Sequence, residues 1–430
     1  MTSPAVDHRT PDADLEHPYW RRNLAVGTAG SFTTLVAMTL LVPFLPEYVR
    51  QLGVDDPGAV VRWSGVAYGA TFLTAALTAP LWGALGDRFG RKSMLVRASL
   101  GMAVAMTLLG FVQSVEQLVA ARLLVGLLGG YSSGATILVA AQTPKDRSAW
   151  ALGVLSSGIL AGNVVGPLVG GFVPAWVGIR STFVVCGAVI FLAFLATTFL
   201  LREPPRPARS PVEPVDTTST GSRRARPAGQ VGAVLVLLAT SSLLLFSTMS
   251  IEPIVTVYVE DLGQLSHAAG VAGILVALTA VGSVVAAPRV GRLADRVGHT
   301  RVVVACLAAA GVLALAQALV TNVWQLGVLR VLLGLSLGGL LPAITAAVRH
   351  LAPPDAVGRV LGLGVSAQYV GQVAGPVLGG LVAAQAGLRA VFVATAVVLL
   401  AAAALNLVVL RRGGARNPST DAPEPVTLGS

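Results

Sequence analysis

The chain has 430 residues, 54% of them hydrophobic and only 12% charged, with a mean hydropathy of +0.76. Soluble domains carry about 25% charged residues, so this composition excludes an ordinary soluble globular protein and points to repeated membrane crossings. The net charge of +10 invites a nucleic-acid partner, but the basic residues punctuate apolar runs, so a positive-inside bias explains them and no nucleic acid is expected.

In chain order, residues 1–19 are polar and acidic, without the apolar core that a cleaved signal needs. Twelve apolar runs follow, at 23–49, 61–85, 93–113, 116–140, 149–173, 180–201, 231–259, 268–290, 301–320, 323–347, 357–385 and 388–410. About 20 residues of helix span a ~30 Å hydrocarbon core, and helices satisfy their own backbone amides there. Pro43, Pro167, Pro253, Pro342 and Pro376 lie inside runs and predict kinks. Residues 202–229 are rich in Pro, Arg, Ser and Thr and lose the apolar period, which predicts a linker. The expected organisation is a tail (1–22), a six-helix bundle (23–201), a linker (202–229), a second six-helix bundle (230–411) and a tail (412–430). Arg21, Arg22, Arg88, Arg91, Lys92, Lys145, Arg147, the linker arginines, Arg292, Arg296, Arg301, Arg411 and Arg412 then share one side. That side is expected to be cytoplasmic, with both termini on it.

Several chemistries have no carrier in the sequence. Cys186 and Cys306 lie in apolar runs without metal-type spacing and read as free, small hydrophobes. No G-x4-G-K-[ST] motif is present and Lys92 and Lys145 are the only lysines, so no internal ATP engine is expected. No catalytic or metal constellation is readable, so no enzyme activity, cofactor or metal is expected.

The chain repeats itself. Gly83-Ala-Leu-Gly-Asp-Arg-Phe-Gly-Arg-Lys92 returns 208 residues later as Gly291-Arg-Leu-Ala-Asp-Arg-Val-Gly-His-Thr300, each copy preceded by proline, Pro80 and Pro288. Arg122-Leu-Leu-Val-Gly126 matches Arg330-Val-Leu-Leu-Gly334 at the same offset. Gly162-x3-Gly166-Pro167-x2-Gly170-Gly171 matches Gly371-x3-Gly375-Pro376-x2-Gly379-Gly380 at 209. A register this constant predicts an all-α polytopic membrane protein of 12 transmembrane helices in two pseudo-symmetric six-helix bundles, with a site at their interface.

The doubled hairpin resembles the loop signature of the major facilitator superfamily. The resemblance implies two bundles around a mid-membrane cavity, a small-molecule substrate, and a monomer in the cell membrane. It makes Gly83, Asp87, Arg88, Gly90, Arg91 and Lys92, with Gly291, Asp295, Arg296 and Gly298, a latch that holds one conformation closed. On residue chemistry alone, the glycines serve a turn, Asp87 can cap a helix N-terminus, and a plain positive-inside loop is the alternative. His299 and Thr300 replace Arg91 and Lys92, so the second latch is expected to be weaker. The glycine-proline segments place small residues one turn apart, which lets helices approach closely. The resemblance adds that this pattern marks the drug:proton antiporter branch, which exports.

Arg122 lies about eight residues into its span, ~12 Å below the outer surface, and Arg330 sits at equivalent depth. Two placements fit either residue: burial against protein, or a side chain snorkelling to the interface. The resemblance implicates Arg122 in proton coupling, with Val125 where a glutamine is often found. Glu252 follows a long uncharged stretch, while other acids fall in tails, at the hairpins or near span ends, such as Glu47, Glu116, Glu260 and Asp261. A low-dielectric wall favours the protonated form of a carboxyl, which suits a proton carrier. At ~31 Å along its span, Glu252 fits either a buried position or the outer interface. Ile251-Glu-Pro-Ile-Val-Thr-Val-Tyr258, Pro43-Phe-Leu-Pro-Glu-Tyr48, Trp63-Ser-Gly65 and Trp150-Ala-Leu-Gly153 resemble a multidrug-exporter subgroup of the MdtG type. Tyr68, Tyr131, Asn163, Gln368, Tyr369 and Gln372 suit a cavity for amphiphilic ligands, and Asn163, Gln368 and Gln372 equally suit helix-to-helix hydrogen bonds. The expected function is proton-driven export of small amphiphilic compounds such as drugs or toxic metabolites. An importer or narrow metabolite carrier of the same superfamily, and a non-transport membrane receptor or enzyme, are the alternatives.

Overall fold

The computed structural model describes residues 19–144, 146–203, 228–263, 267–352 and 356–414. The expected linker from 204 to 227 and most of both tails lie outside the described residues, as does the side chain of Asp87. Among the described residues the secondary structure is entirely helical. The first half comprises α1 (Trp20–Thr39), α2 (Leu45–Gln51), α3 (Pro57–Phe89), α4 (Arg91–Leu109), α5 (Val115–Leu128), α6 (Tyr131–Gln142), α7 (Ser148–Val177) and α8 (Ile179–Leu200). The second repeats it as α9 (Ala228–Ile251), α10 (Val255–Asp261), α11 (Ala268–Val297), α12 (His299–Ala318), α13 (Val323–Leu337), α14 (Leu340–Leu351), α15 (Val357–Ala386) and α16 (Leu388–Gly414). Four of the twelve crossings are broken helices, α1–α2, α5–α6, α9–α10 and α13–α14.

The breaks have two causes, each used twice. Pro43 and Pro253 lie in 3-10 turns, Val42–Phe44 and Glu252–Ile254, because proline removes a ladder donor. The other two breaks were not expected from the apolar pattern. Gly130 (φ +99°) and Gly339 (φ +83°) adopt left-handed backbone and restart the helix as α6 and α14. Pro342 therefore falls in the first turn of α14, where a missing N–H is harmless, while Pro167 and Pro376 stay within continuous helices. The positive-φ glycines of the described residues form four repeat-related pairs: 53 and 263, 90 and 298, 130 and 339, 178 and 387.

Ten crossings are long and apolar enough to span a bilayer. The other two, α3 and α15, have 33 and 30 residues and are diluted by small and polar side chains. They need less lipid-facing surface because they pack on each other across the halves. A Cβ on Gly65 of α3 would collide with the Pro376 carbonyl of α15, and one on Gly69 would come within 3.1 Å of the Val373 carbonyl. α7 and α11 form the second seam, where Gly273 meets the Pro167 carbonyl and Gly171 faces Ala269.

The glycine-proline segments thus do two jobs. Gly162, Gly166 and Gly170 admit the α1 backbone around Phe32, Val36 and Leu40, and Gly371, Gly375 and Gly379 admit α9 around Ser242, Phe246 and Ser250. Gly171 and Gly380 turn the other way, to the opposite half: a Cβ on Gly380 would lie 2.9 Å from the Val61 carbonyl.

Candidate functional site

The two halves are clasped at the end where α2 and α10 lie. Arg50 donates two hydrogen bonds to Glu260, Nη1 to Oε1 at 2.9 Å and Nη2 to Oε2 at 2.6 Å. Thr256 Oγ1 donates to the Pro43 carbonyl at 2.7 Å, again across the halves. Positions 50 and 260 correspond under the repeat, so the pseudo-two-fold axis brings them together, and one has become basic and the other acidic. Tyr48 and Tyr258, another related pair, anchor these short helices by donating to the carbonyls of Leu109 (2.5 Å) and Gln317 (2.8 Å). An apolar seal backs the clasp, with Val61 buried among Ile251, Ile254 and Ala383.

A buried charged group lies directly beneath. Glu252 opens the 3-10 turn before α10 and is half-buried; its Oε2 accepts from the Tyr68 hydroxyl of α3 at 2.5 Å. That bond crosses between the halves. The Arg122 guanidinium lies 5.8 Å from the Tyr68 ring centroid, and Phe72 packs edge-on to the same ring at 5.5 Å. Arg122 is 1% exposed; its Nε donates to the Ala67 carbonyl at 3.3 Å and its own carbonyl accepts from Thr71 Oγ1 at 2.9 Å. Arg330 is 4% exposed and close enough to Glu252 for their charges to attract. Neither arginine snorkels. Among the described residues, Arg122 Nη1 and Arg330 Nε and Nη2 are buried without a hydrogen-bond partner. Glu252 thus meets the Arg330 guanidinium directly and Arg122 only through the Tyr68 ring between them.

Of the residues expected to line a cavity, Tyr68 belongs to this charged group. Tyr131 is instead a core residue, 1% exposed. It opens α6 after the Gly130 break, points into the first bundle's core beside α1, and shares a 2.8 Å hydrogen bond with Thr197 of α8. Asn163 is half-buried on α7, and Tyr369 and Gln372 are half-buried on α15. Gln368 lines a cavity of 760 Å³ between α14 and α15, with Thr345, Arg349 and His350. This cavity lies towards the end opposite the clasp.

The hairpins at that opposite end are more helical than the motif suggests. α3 and α11 run on to Phe89 and Val297, so Gly83 and Gly291 sit inside helices with nothing within 4 Å of a Cβ, and they do not make the turn. The turn is one residue, Gly90 (φ +101°) or Gly298 (φ +102°), and a new helix begins at once. The N-terminus of α4 is capped by a residue the motif does not contain. Glu203, just past α8, accepts from the backbone N–H of Arg91 (3.1 Å) and of Lys92 (3.0 Å). Arg91 Nη1 donates to the Ile137 carbonyl of α6 at 3.2 Å, and Arg88 stacks on Phe89 at 5.2 Å. In the second copy, His299 Nε2 lies 3.4 Å from Asp295 Oδ1 and its ring is 5.5 Å from that of His350, while Arg296 is exposed. Sequence reasoning missed Glu203 and the Arg50–Glu260 clasp, because each joins segments far apart in the chain.

Two repeated six-helix halves, clasped at one end over buried charges, define a secondary transporter of the multi-pass membrane class. The sequence profile of the Major Facilitator Superfamily matches residues 27–264 and 237–428, and the chain belongs to that superfamily. Multidrug resistance protein MdtG of Enterobacter lignolyticus is 40% identical over 397 residues, covering 92% of this chain and 94% of that protein. MdtG of Klebsiella pneumoniae is 40% identical over 407 residues, covering 94% and 96%. Among solved structures, a bacterial homologue of the human lysosomal transporter Spinster, in an inward-facing and occupied conformation, has a TM-score of 0.73 at 18% identity, covering 92% of this chain and 97% of that one. The POT family transporter PepTSo has a TM-score of 0.72 at 13% identity, covering 92% and 99%. At these identities the likeness is one of fold.

Proposed function

We propose that the protein exports small amphiphilic compounds, drugs or toxic metabolites, across the cell membrane by proton antiport and alternating access. It works as a monomer with both termini in the cytoplasm, so the clasped end is the outer face and the 760 Å³ cavity opens towards the cytoplasm. The carrying observation is the Tyr68–Glu252 bond, which joins the halves beneath the clasp and beside two buried arginines. When the outer side opens, α3 and α9 part and this bond breaks, which leaves the Glu252 carboxylate to take a proton from outside. Neutral Glu252 no longer holds Arg330, the halves rock back, and the proton leaves to the cytoplasm as substrate is loaded. Arg122 holds the Tyr68 ring, and Arg330 supplies the positive charge that Glu252 answers. The hairpins, with Asp87, Arg88, Arg91 and Lys92 foremost, latch the cytoplasmic side when it closes; Asp87→Asn reduces transport without removing the protein from the membrane.

The names of the MdtG relatives support a drug substrate. Import of a nutrient is the second reading, and the doubled glycine-proline segments weigh against it. The test is fluorescent-dye accumulation in cells expressing the chain, beside Glu252→Gln. Export predicts low accumulation that rises with a protonophore and rises equally in the variant. Accumulation unaffected by the chain across a broad dye panel would overturn the multidrug reading.

A further inference from the structure

A groove of 510 Å³ runs between the starts of α1 and α7 on the first half, away from the charged group and from the cavity between α14 and α15. We propose that it binds one anionic phospholipid of the cytoplasmic leaflet, with the headgroup phosphate between Arg21 and Arg147 and an acyl chain along Leu24, Ala25 and Val154. The inference goes beyond the export reading and rests only on the membrane orientation given above.

The lining changes character with depth in the way such a lipid does. At the rim stand Arg21 and Arg147 with Trp20 and Trp150, whose rings meet edge to face at 6.3 Å. Leu24, Ala25 and Val154 lie about one helical turn further along the same helices, ~5 Å deeper, and are wholly apolar. Trp150 is 60% exposed, an indole at headgroup level of the kind found in membrane aromatic belts. Among the described residues, the carboxylate at the rim is Asp146. Arg147 has Asp146 at 3.6 Å, whereas Arg21 stacks 5.3 Å above the Trp20 ring and has no carboxylate within salt-bridge reach among the described residues. Both helices start at this rim, so the positive ends of their dipoles add to the attraction for an anion. Basic pockets between helices on the cytoplasmic side are a recurrent mode of headgroup recognition. A soluble phosphate would satisfy the rim and leave the apolar floor wet; a neutral amphiphile would satisfy the floor and leave Arg21 unanswered.

The test uses the purified full chain in detergent, with lipid retention followed by native mass spectrometry. The proposal predicts that dioleoyl phosphatidylglycerol is retained over dioleoyl phosphatidylcholine. In Arg21→Gln/Arg147→Gln its affinity falls by about thirtyfold, the loss expected for two arginines at an anionic surface. Arg21→Lys/Arg147→Lys keeps most of the preference, and circular dichroism shows both double variants folded. Equal retention of the two lipids, or an unchanged preference in the glutamine variant, would overturn it. So would displacement by millimolar inorganic phosphate, which would make the site one for a free anion. Displacement of phosphatidylglycerol by a transported dye would instead make the groove part of the substrate path, and would equally overturn the proposal.

Discussion

Breaking the Arg50–Glu260 clasp moves the conformational equilibrium by an amount that follows from its geometry. Arg50→Gln removes two charge-assisted hydrogen bonds, of 2.9 and 2.6 Å, between side chains that are 33% and 20% exposed. Fully exposed ion pairs contribute about 0–1 kcal/mol, and close pairs within interfaces about 1.5 kcal/mol or more. This partly buried, bidentate pair is therefore assigned ~1–2 kcal/mol, a five- to thirtyfold shift towards the state open on the clasped side. The Thr256–Pro43 bond and the apolar seal remain and keep the closed state populated. Spin labels at Asp55 and His267, in a chain without Cys186 and Cys306, report the distance across this end by pulsed electron resonance. Arg50→Gln and Glu260→Gln each gain a longer-distance population, and the swap Arg50→Glu/Glu260→Arg restores the short one. A distance distribution unchanged in both single variants, or a swap no better than either, would refute the clasp as a determinant of conformation.

Three further outcomes are expected. Tyr68→Phe deletes the 2.5 Å bond to Glu252 and with it about 1.5–3 kcal/mol of inter-half coupling; protonophore-sensitive dye efflux falls at unchanged membrane level, and undiminished efflux would show the bond to be mere packing. Gly83→Leu is tolerated in the present conformation, where nothing lies within 4 Å of a Cβ, so thermal stability in detergent holds while transport stops because the hairpin no longer closes on the opposite half; normal transport would remove Gly83 from the latch. Glu203→Gln weakens the cap on α4 by about 1 kcal/mol and lowers the thermal midpoint, Glu203→Ala lowers it further, and equal midpoints in all three chains would contradict the cap.

Much of this architecture was legible because bilayer physics leaves long marks in a sequence. Apolar runs of crossing length, basic residues between them and a register of 208–209 residues give the twelve crossings and the duplication. Gly90 and Gly298 were recognisable as turn glycines, whereas Gly83 and Gly291 in the same motif are helical, since a glycine in sequence carries no record of its φ. The Gly130 and Gly339 breaks were hidden for a related reason: apolar residues flank them on both sides, and periodicity does not register one left-handed residue. Tyr131 was misassigned because a polar tip in an apolar run fits a cavity or a core equally well, and only the Thr197 hydroxyl decides. Glu252 and Arg122 were each conspicuous as charges in apolar helices, but their meeting at Tyr68 is a property of how the halves dock. Glu260 looked like an ordinary charge near a span end, and no motif marked Arg50. Their pairing needs the pseudo-two-fold axis, which no local pattern contains.

Proton movement in everted membrane vesicles tests the central claim most directly. With a proton gradient established, adding a transported dye to vesicles bearing the wild-type chain should release protons from the lumen in step with dye uptake. Vesicles bearing Glu252→Gln should show no dye-dependent release while still exchanging dye down its gradient. Equal proton release from both would contradict the assignment of Glu252 as the coupling carboxylate, and dye uptake without proton release by the wild-type chain would contradict antiport itself.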